Sequence, residues 1–373
     1  MDRTLTYPGF VDVHVHFRDP GVPDAETTAS GLAAAGRGGF AAVVTMPNTS
    51  PACDSPEMIE YQLRAAGQFP GDRRGTEDVP VLLPSACITR GRAGRTVADL
   101  ELLAEAGAAF FTDDGSYVAD DRVMEEAMRR AAKLGMCVCD HAMDPRELGS
   151  GVIRECALAR LRNLPVIPAS AETIAIRRDI SICRVTGCRL HIQHISTAEG
   201  VSLVRDAQRE GLPVSAEATP HHLVLSCDDI PEDDANYKMA PPLGNAEDRA
   251  ELRRAVKDGV LMFATDHAPH PAAKKQLGFV SAANGIIGLE TAIPLTWKAM
   301  VEDEGMDPDA WARAWWEMPR SVLSARAAKR LAGARRTSVV AGDVRKVSVE
   351  DFASLSRNCP YDGMELDCWP AVR

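Results

Sequence analysis

Short apolar runs recur along the chain, and most of them are followed by a stretch in which apolar residues return every three or four positions. Runs of the first kind are typical of buried β-strands, and stretches of the second kind are typical of amphipathic helices. Strands that alternate with helices predict parallel pairing through right-handed crossovers. Eight runs qualify as strands: FVDVHVH from Phe10, AAVVTM from Ala41, VPVLLPSA from Val79, AAFFT from Ala108, MCVCDH from Met136, RLHIQH from Arg189, LPVSAEA from Leu212 and VLMFATDH from Val260.

Eight strands in this order predict an α/β fold of one kind, a (β/α)8 TIM-like barrel. The segments between the strands are rich in Ala, Leu, Glu and Arg, which favour helices. We expect the barrel to occupy residues 8–335, with short β-rich segments at 1–7 and 336–373. Helices are predicted over residues 26–36, 56–66, 97–106, 121–134, 198–210 and 246–257.

Two connections are longer than the others. Residues 145–187 contain Pro165 and Pro168, and these breaks predict two helical pieces. Residues 220–245 form the second long excursion. Loops of this size at one end of a barrel commonly enclose the substrate, so we expect both to border the functional site.

Composition narrows the range of functions. Of the 373 residues, 45% are hydrophobic and 25% are charged, and no apolar run reaches the ~18 residues that a membrane span needs. The first ten residues lack the apolar stretch of a signal peptide, so we expect a soluble, cytoplasmic protein. The net charge of -11, without a basic cluster, argues against a nucleic-acid partner. An anionic substrate would therefore need local positive groups.

The ten cysteines form no CxxC pair, and several stand inside apolar runs. In a cytoplasmic chain of this size, such residues are typically small buried side chains rather than disulfide partners or a zinc cluster. We therefore predict that the cysteines contribute to the core and not to the chemistry.

The first predicted strand ends in His14-Val15-His16. Side chains two positions apart in a strand point to the same side, so both imidazoles can reach one metal ion. A lone HxH pattern also arises by chance or for structural reasons, and by itself it proves little. The ends of the other strands supply the context that this pattern needs.

Four further strands end in groups that bind metals: Asp113-Asp114, His141, His194 and Asp266. Active sites of barrels lie at these C-terminal ends. Buried carboxylates and imidazoles cost free energy unless they are paired or coordinated, so five strands that deliver them to one end predict a metal centre. Imidazole together with carboxylate suits zinc or a similar divalent ion, and zinc is our expectation.

A zinc ion would lower the pKa of a bound water to ~7 and polarise a carbonyl group, which makes hydrolysis of an amide feasible near neutral pH. A carboxylate beside that water must accept its proton and pass it to the leaving nitrogen. Asp266 is our candidate for this general base and acid.

Several motifs carry a resemblance to a known family. FVDVHVHFRDPG, TMPNTSP, FTDDGS, HIQHIST, EATPHHL, FATDHAPH and GIIGLET resemble the motif series of bacterial dihydroorotases, which belong to the amidohydrolase superfamily. The likeness extends from about Pro8 to Leu295, and the tail SRNCPYDG resembles the family's C-terminal signature. HxH alone indicates only the superfamily, whereas HxHxR followed by PG, MPNT and DHAPH in this order is much more specific.

The resemblance implies reversible hydrolysis of L-dihydroorotate to N-carbamoyl-L-aspartate, run toward ring closure in pyrimidine biosynthesis, with one or two zinc ions per chain. It implies that Arg18, Asn48 and His270 bind the substrate carboxylate, and an Arg fork and an Asn amide are natural donors to such a group. Asp266 would be the proton shuttle. The implied partners are the small-molecule substrate, further copies of the chain in a homo-oligomer, and aspartate transcarbamoylase. The implied metal ligands are His14, His16, Asp114, His141, His194 and Asp266.

The sequence departs from the family pattern in three places. Many superfamily members bridge two metals with a carboxylated lysine, but the first lysine here is Lys133, on a predicted helix. Asp114 is the matching residue, and we expect Asp113 to act in a turn or cap. Ala240 replaces an Asn that resembles a substrate contact, so one hydrogen bond is missing or is supplied by Lys238 or a loop backbone. The stretch before HxH is short, so we expect the family's β-sandwich satellite to be reduced to a remnant at the termini.

Two alternatives remain open. A hydantoinase, dihydropyrimidinase or allantoinase would share the metal ligands but would not need Arg18 and Asn48 on a substrate carboxylate. A catalytically silent subunit that scaffolds aspartate transcarbamoylase stays open because of Ala240 and the short stretch before HxH, although the complete set of metal ligands argues against it. Of the remaining histidines, we expect His191 in the core or behind the ligands, and His221 and His222 at a loop junction, where they cap the loop or orient a ligand.

Overall fold

The structure is a computed structural model that describes residues 3–68, 79–232 and 234–371. Both parallel and antiparallel strands occur among these residues. The strands are Arg3–Tyr7 (β1), Phe10–Val15 (β2), Phe40–Thr45 (β3), Val81–Pro84 (β4), Cys137–Asp140 (β5), Arg189–Ile192 (β6), Val214–Ala218 (β7), Leu261–Phe263 (β8), Thr337–Ala341 (β9), Arg345–Lys346 (β10), Glu365–Leu366 (β11) and Trp369–Pro370 (β12).

Helices connect most of these strands. A π-helix, Trp297–Asp303, follows α13 directly, and short 3-10 turns occur in several loops. The α-helices are Thr28–Arg37 (α1), Pro56–Ala65 (α2), Leu100–Ala106 (α3), Asp121–Lys133 (α4), Pro145–Leu148 (α5), Ala157–Arg162 (α6), Ser170–Thr186 (α7), Ala198–Arg209 (α8), Pro220–Val224 (α9), Ala246–Lys257 (α10), Ala272–Lys275 (α11), Gly278–Ser281 (α12), Ala292–Thr296 (α13), Pro308–Trp316 (α14) and Ala325–Arg330 (α15).

Local signals in the sequence set the bounds of these helices. The side chain of Thr197 accepts a hydrogen bond from the amide of Gly200 and starts α8, and Asn245 caps α10 in the same way. Gly187 ends α7 with a φ of +67°, a conformation that glycine adopts without strain. Five predicted helices are confirmed within two residues at each end. The predicted helix from Val97 begins three residues later, because Asp99 caps it.

The long connection between β5 and β6 contains three helices instead of the predicted two, namely α5, α6 and α7. Pro165 and Pro168 lie between α6 and α7, where a chain without an amide donor at either position cannot continue a helix. The additional helix, α5, is a single turn that begins at Pro145 after Asp144. The prediction was therefore right about the breaks and wrong about the number of pieces.

Seven of the eight predicted strands are confirmed, and the AAFFT run from Ala108 is the exception. Its only ladder position is Phe111, which forms parallel bridges to Ala86 and to Val138. The chain turns at Asp114, so the run is held between its neighbours but is too short for a ladder of strand length.

The parallel strands form two groups. One sheet has the order β2-β3-β4, and the other has the order β5-β6-β7-β8. The bridges at Phe111 lie between β4 and β5, and His267, after β8, forms a parallel bridge to Val15 in β2. The termini form a separate antiparallel sheet in the order β1-β9-β12.

Alternate residues of the parallel strands pack into two different cores. Residues such as Val43 and Val138 belong to the large core between strands and helices. Residues such as Val44 and Cys139 face the other way and pack with Ala327 of α15. Since side chains two apart in a strand share a face, His141 continues the series of Cys139. All ten cysteines are buried and free of disulfides, as predicted.

Within the described ranges, no helix is both long enough and apolar enough to cross a membrane.

Candidate active site

The six predicted metal ligands lie together at the C-terminal ends of the parallel strands. Five of them are buried, and the side chain of His141 is 12% exposed. Each strand or bridge therefore brings its polar residue to the same place, as the sequence pattern suggested. The six are His14 and His16 at the end of β2, Asp114 after the bridge at Phe111, His141 after β5, His194 after β6 and Asp266 after β8.

Asp114 stands between the histidines of the cluster. Its Oδ1 lies 3.3 Å from Nε2 of His14 and 3.6 Å from Nε2 of His194. The same oxygen is 3.7 Å from Nδ1 of His141, and Oδ2 is 3.4 Å from Nε2 of His16. One carboxylate thus faces all four imidazoles, which is the position that a bridging ligand would occupy.

Asp266 lies against the two histidines of β2. Its Oδ1 is 3.0 Å from Nε2 of His16 and 3.5 Å from Nε2 of His14. On the opposite side, Nδ1 of His141 and Nε2 of His194 are 2.8 Å apart. Among these six residues, donor atoms within 4.8 Å of one another form two groups that share His14, one with His16 and Asp266 and one with Asp114 and His194.

The donor set fits a divalent metal ion. His14 Nε2 and Asp114 Oδ1 are buried and have no hydrogen-bond partner within the described residues. Most separations between imidazole and carboxylate atoms are 3.3 to 3.7 Å, too long for good hydrogen bonds. They are close to the ~3.4 Å between two ligands of a tetrahedral ion whose bonds are ~2.1 Å long.

Glu217 on β7 orients His14. Its Oε1 lies 2.6 Å from Nδ1 of His14, and its Oε2 accepts a hydrogen bond from Nε2 of His191 at 2.9 Å. This contact places the proton of His14 on Nδ1, so the lone pair of Nε2 faces the cluster. Burial raises the pKa of Glu217, but the imidazoles of His14 and His191, which both donate hydrogen bonds to it, outweigh burial and lower the pKa to about 2. His191 therefore lies behind the predicted ligands, as expected.

Asn48 orients His16 in the same manner. Its Oδ1 accepts a hydrogen bond from Nδ1 of His16 at 2.9 Å. Nε2 of His16 is thereby left to face Asp266, and Nδ2 of Asn48 remains a donor at the edge of the cluster. Asn48 consequently links the predicted metal ligands to the edge of the cluster.

The two aspartates of FTDDGS have different surroundings. Asp113 accepts hydrogen bonds from the amides of Ile88 and Thr89 and from the Thr89 hydroxyl, so it anchors a loop as expected. Asp114 faces the cluster, and Nη2 of Arg92 donates to its backbone carbonyl. The chain therefore presents one aspartate to the site and uses the other to hold the turn.

Arg18 and His270 lie beside each other at the rim of the cluster. Nε of Arg18 approaches the carbonyl of Pro269 at 3.4 Å. Nε2 of His270 donates to the carbonyl of Asn284 at 2.7 Å. Burial, and then the charge of Arg18, lower the pKa of His270 to about 3, so the ring is neutral at pH 7. Because the proton is on Nε2, Nδ1 is an acceptor.

Backbone strain concentrates at this site. Six non-glycine residues of the described chain have a positive φ, a conformation that costs ~1–3 kcal/mol for most side chains. Four of the six belong to the site, which suggests that the surrounding contacts hold these residues in place. The four are Arg18, Arg92, His194 and Asp266.

Known proteins resemble this chain in sequence over almost its whole length. The model of the family described as dihydro-orotase-like matches residues 3–200. The dihydroorotase of Geobacillus sp. (strain WCH70) is 41% identical over 372 residues, which are 99% of this chain and 85% of that protein. The dihydroorotase of Bacillus caldolyticus is 41% identical over 373 residues, with the same coverage. The chain belongs to the dihydroorotase family.

Solved structures similar to this member of the dihydroorotase family include hydantoinases. The L-hydantoinase (dihydropyrimidinase) of Arthrobacter aurescens has a TM-score of 0.78 and 23% identity, covering 98% of this chain and 83% of that one. The D-hydantoinase (dihydropyrimidinase) of Thermus sp. has a TM-score of 0.76 and 20% identity, covering 99% and 83%. At this identity the likeness concerns the fold, and it confirms the α/β architecture.

Two of the departures from the dihydroorotase pattern lie at or near this site. Lys133 is exposed at the end of α4, and Asp114 occupies the shared position between the histidines. Lys238 does not supply the hydrogen bond that an Asn in place of Ala240 would offer, because its Nζ donates to the carbonyls of Val280 and Ala282, each at 2.7 Å. The structure therefore assigns Lys238 to loop anchoring.

The paired histidines of the EATPHHL motif differ from each other. Nδ1 of His222 bonds the hydroxyl of Thr219, and Nε2 donates to the carbonyl of Pro241 at 3.1 Å, so His222 joins two loops. Nε2 of His221 is buried without a hydrogen-bond partner in the described chain. Burial lowers the pKa of His221 to about 4. Only the capping function is visible, and it belongs to His222.

Proposed function

We propose that this chain is a dihydroorotase that uses zinc to interconvert N-carbamoyl-L-aspartate and L-dihydroorotate in de novo pyrimidine biosynthesis. The 41% identity to dihydroorotases over 99% of the chain supports the reaction. The observation that carries the chemistry is the buried cluster of four histidines and two aspartates beside Arg18 and Asn48. It combines the donors of a metal ion with the donors for a carboxylate.

One zinc ion would be held by His14, His16 and Asp266, and Asp114, His141 and His194 offer donors for a second. When bound, the ion supplies a Lewis acid and a water of lowered pKa. The charges of Asp114 and Asp266 compensate the ion in a site from which bulk water is largely excluded. Whether one or two ions bind depends on how tightly a single carboxylate, Asp114, is shared.

Asp266 is proposed as the residue that moves the proton. In hydrolysis, it accepts a proton from the attacking water and donates it to the ring nitrogen that leaves; ring closure reverses these steps. Burial raises the pKa of Asp266, but the neighbouring imidazoles of His14 and His16 outweigh burial and lower that pKa, which favours the ionised carboxylate. An ionised carboxylate is the form that can accept the proton.

Arg18 and Asn48 are proposed to bind the substrate carboxylate. The guanidinium and the free amide of Asn48 are donors, as this group requires. Neutral His270 offers Nδ1 as an acceptor, so we propose that it meets a substrate N–H beside the carboxylate. Arg18→Ala should weaken use of dihydroorotate by ~10- to 100-fold, because it removes a charge-assisted hydrogen bond. Arg129→Ala, on the exposed face of α4, is the matched control.

The fold that supports this site is proposed to be a closed (β/α)8 barrel of residues 8–335. Support comes from the parallel bridges at Phe111 and His267, which lie at the two gaps between the four-stranded and three-stranded sheets. Residues 1–7 and 336–373 would then form the reduced satellite, supported by the sheet of β1, β9 and β12. A homo-oligomer, a complex with aspartate transcarbamoylase and a cytoplasmic location stay predictions.

A hydantoinase-type activity is the second candidate, since hydantoinases share the fold. It would use the same metal ligands without a carboxylate pocket. The presence of Arg18 beside the cluster favours a carboxylated substrate, and the complete donor set argues against a silent scaffold.

Metal analysis together with two substrates tests the proposal. Protein purified without chelator should contain at least one zinc or similar divalent ion per chain, lose activity on dihydroorotate when stripped, and regain it with zinc. Hydantoin should be a poor substrate. Activity on hydantoin with none on dihydroorotate would select the second candidate. A folded protein that takes up no metal on reconstitution would contradict both.

A further inference from the structure

Asn358, in the C-terminal segment outside the strands and helices of the site, is buried against the two loops that border the substrate side. We infer that Asn358 is a positioning residue that fixes His270, and through it the affinity for substrate. This inference rests on the proposed function, because it takes His270 as a substrate contact.

The side chain of Asn358 uses both of its ends. Its Nδ2 donates to the carbonyl of Ala268 at 2.9 Å and to the carbonyl of Gly285 at 3.1 Å. Its Oδ1 accepts a hydrogen bond from the amide of His270 at 3.2 Å. The backbone carbonyl of Asn358 also accepts from the amide of Ile287 at 3.0 Å. One residue therefore joins the loop after β8 to the loop of residues 284–288.

This contact determines the placement of His270 from two sides. Asn358 holds the backbone amide of His270 directly, and it holds Gly285, the neighbour of Asn284, whose carbonyl accepts from Nε2 of the same imidazole at 2.7 Å. Gly285 has a φ of +111°, and a Cβ there would lie 2.6 Å from the Cβ of Ala268. The two loops are thus as close as their backbones allow, and Asn358 bridges them.

Neighbouring residues of the same segment fix Asn358 in turn. The hydroxyl of Ser356 donates to the carbonyl of Ala25 at 2.7 Å, and the hydroxyl of Ser354 donates to Glu26. Glu26 also meets Nε2 of His267 at 3.3 Å, next to Asp266 in the chain. These hydrogen bonds therefore also attach the segment to the loop after β2, and they restrict the position of Asn358.

The chemistry of the side chain explains why an amide stands at this position. Two carbonyl groups accept and one amide donates, and among the side chains of this size Asn offers two donor hydrogens together with an acceptor. An aspartate would place a charge beside two carbonyl oxygens. An alanine would remove the side-chain partner of the Ala268 carbonyl and of the His270 amide, and would leave the Gly285 carbonyl with Lys275 as its donor. Substitution should therefore loosen the two loops without touching the metal ligands.

The test is a double-mutant cycle between Asn358→Ala and His270→Ala in the full chain loaded with zinc. His270→Ala and Asn358→Ala should each raise KM for dihydroorotate by ~10-fold or more while kcat stays within ~3-fold. The double variant should have the KM of His270→Ala alone, because Asn358 acts through His270. Zinc content should equal that of the wild type in all variants.

Two further variants guard the interpretation. Asp362→Ala removes a side-chain bond to the amide of Val349 in the same segment, a bond that involves neither of the two loops, and should leave KM unchanged. Asn358→Ser has a shorter side chain with one donor hydrogen instead of two, and should give an intermediate KM. It replaces Asn358→Ala in the double-mutant cycle if that variant does not fold.

Two outcomes would overturn the inference while leaving the proposed function intact. In the first, the increases in KM of the two single variants multiply in the double variant. In the second, His270→Ala raises KM but the Asn358 variants do not. An unchanged KM in His270→Ala would refute the substrate contact in the proposed function and the inference with it.

Discussion

His141 and Asp140 are consecutive in the chain, yet they belong to two buried polar clusters on opposite faces of β5. His141 belongs to the cluster of the six predicted metal ligands, which we call the ligand cluster, and Asp114 of this cluster lies 3.7 Å away. Asp140 faces α7, where it contacts the carboxyl of Asp179. Together with Arg178, these two residues form what we call the structural cluster. Both clusters are almost fully removed from water, so both must compensate their charge.

The two clusters compensate their charge by different means. Asp179 has a cation within the chain, because Nε of Arg178 lies 2.8 Å from its Oδ1. Arg178 also donates to the carbonyl of Val118 at 2.9 Å and stacks on the ring of Tyr117. In the part of the chain that the structure describes, no Lys or Arg side chain forms an ion pair with Asp114 or Asp266, and the groups that face these carboxylates are imidazoles.

This contrast separates structure from function. A buried acidic group with its own arginine stabilises the fold only in the presence of that arginine. A buried acidic group without an arginine or lysine partner destabilises the fold until an external cation binds to it. Such a site lowers the stability of the unbound protein and is retained because it supports activity. Removing a charged group should therefore lower the activity when the group belongs to the ligand cluster, and lower the free energy of unfolding when it belongs to the structural cluster.

The largest expected effect is in the ligand cluster. Asp266→Asn keeps the shape of the side chain but cannot accept a proton. At full zinc occupancy, activity on dihydroorotate should fall by ~10²- to 10⁴-fold. Zinc content and kcat measured on the same sample check this. Activity that follows metal occupancy alone would reassign the proton transfer to another group and leave Asp266 as a ligand only.

The second effect is in the structural cluster. Arg178→Leu leaves Asp179 buried without a cation, and the free energy of unfolding should fall by ~3–5 kcal/mol. Urea unfolding with and without zinc measures it. The activity per folded, zinc-loaded chain should be unchanged. Asp121→Asn is the control, because Asp121 lies 3.6 Å from Arg178 but is 72% exposed. A loss of less than ~1 kcal/mol would remove the distinction between the clusters.

The sequence predicted one of these clusters well. The ligands are spaced along the chain, but each follows an apolar run, and parallel strands end on the same side. Position along the chain therefore singled out these residues, except that it left Asp113 and Asp114 open and the family resemblance implied Asp114. The spacing of His14 and His16 identified the face. The fourth run was wrong as a strand, because the two bridges of Phe111 suffice to hold Asp114 in place.

The other residues could not be placed from the sequence. Glu217 lies in the apolar run LPVSAEA, and a charged residue inside such a run signals a buried partner but does not name it. Asp140 and Asp179 meet only when α7 packs on β5, across a connection whose helices were miscounted. The contacts of Asn358 depend on where a tail without regular structure returns to the site. Pairing across such distances is set by tertiary packing, which periodicity does not encode.

A smaller effect tests the support of the ligand cluster. Glu217→Gln keeps a hydrogen bond to His14 but removes the charge that favours Nδ1 protonation, so zinc affinity should fall by ~10- to 100-fold. Competition with a chelator measures it. Asp113→Asn, which changes a carboxylate that anchors a loop nearby, is the control and should leave affinity within ~3-fold. Equal losses in both variants would show that any buried carboxylate near the site has this effect.

The smallest expected effect concerns the pH dependence of stability in the structural cluster. Burial raises the pKa of Asp179 in the folded chain, although the charge of Arg178 opposes this. A carboxyl whose folded pKa exceeds the unfolded value of ~3.9 keeps a proton that the unfolded chain releases. Its contribution to stability is therefore present at low pH and is lost as pH rises from ~4 through the folded pKa, with a slope of at most ~1.4 kcal/mol per pH unit. Asp179→Asn should flatten this slope in urea unfolding, and Asp121→Asn should leave it unchanged. The same slope in Asp179→Asn and the wild type would mean that Arg178 keeps Asp179 ionised in the folded state. The two clusters would then both contain ionised aspartates, and would differ only in whether the compensating cation is an arginine of the chain or an external ion.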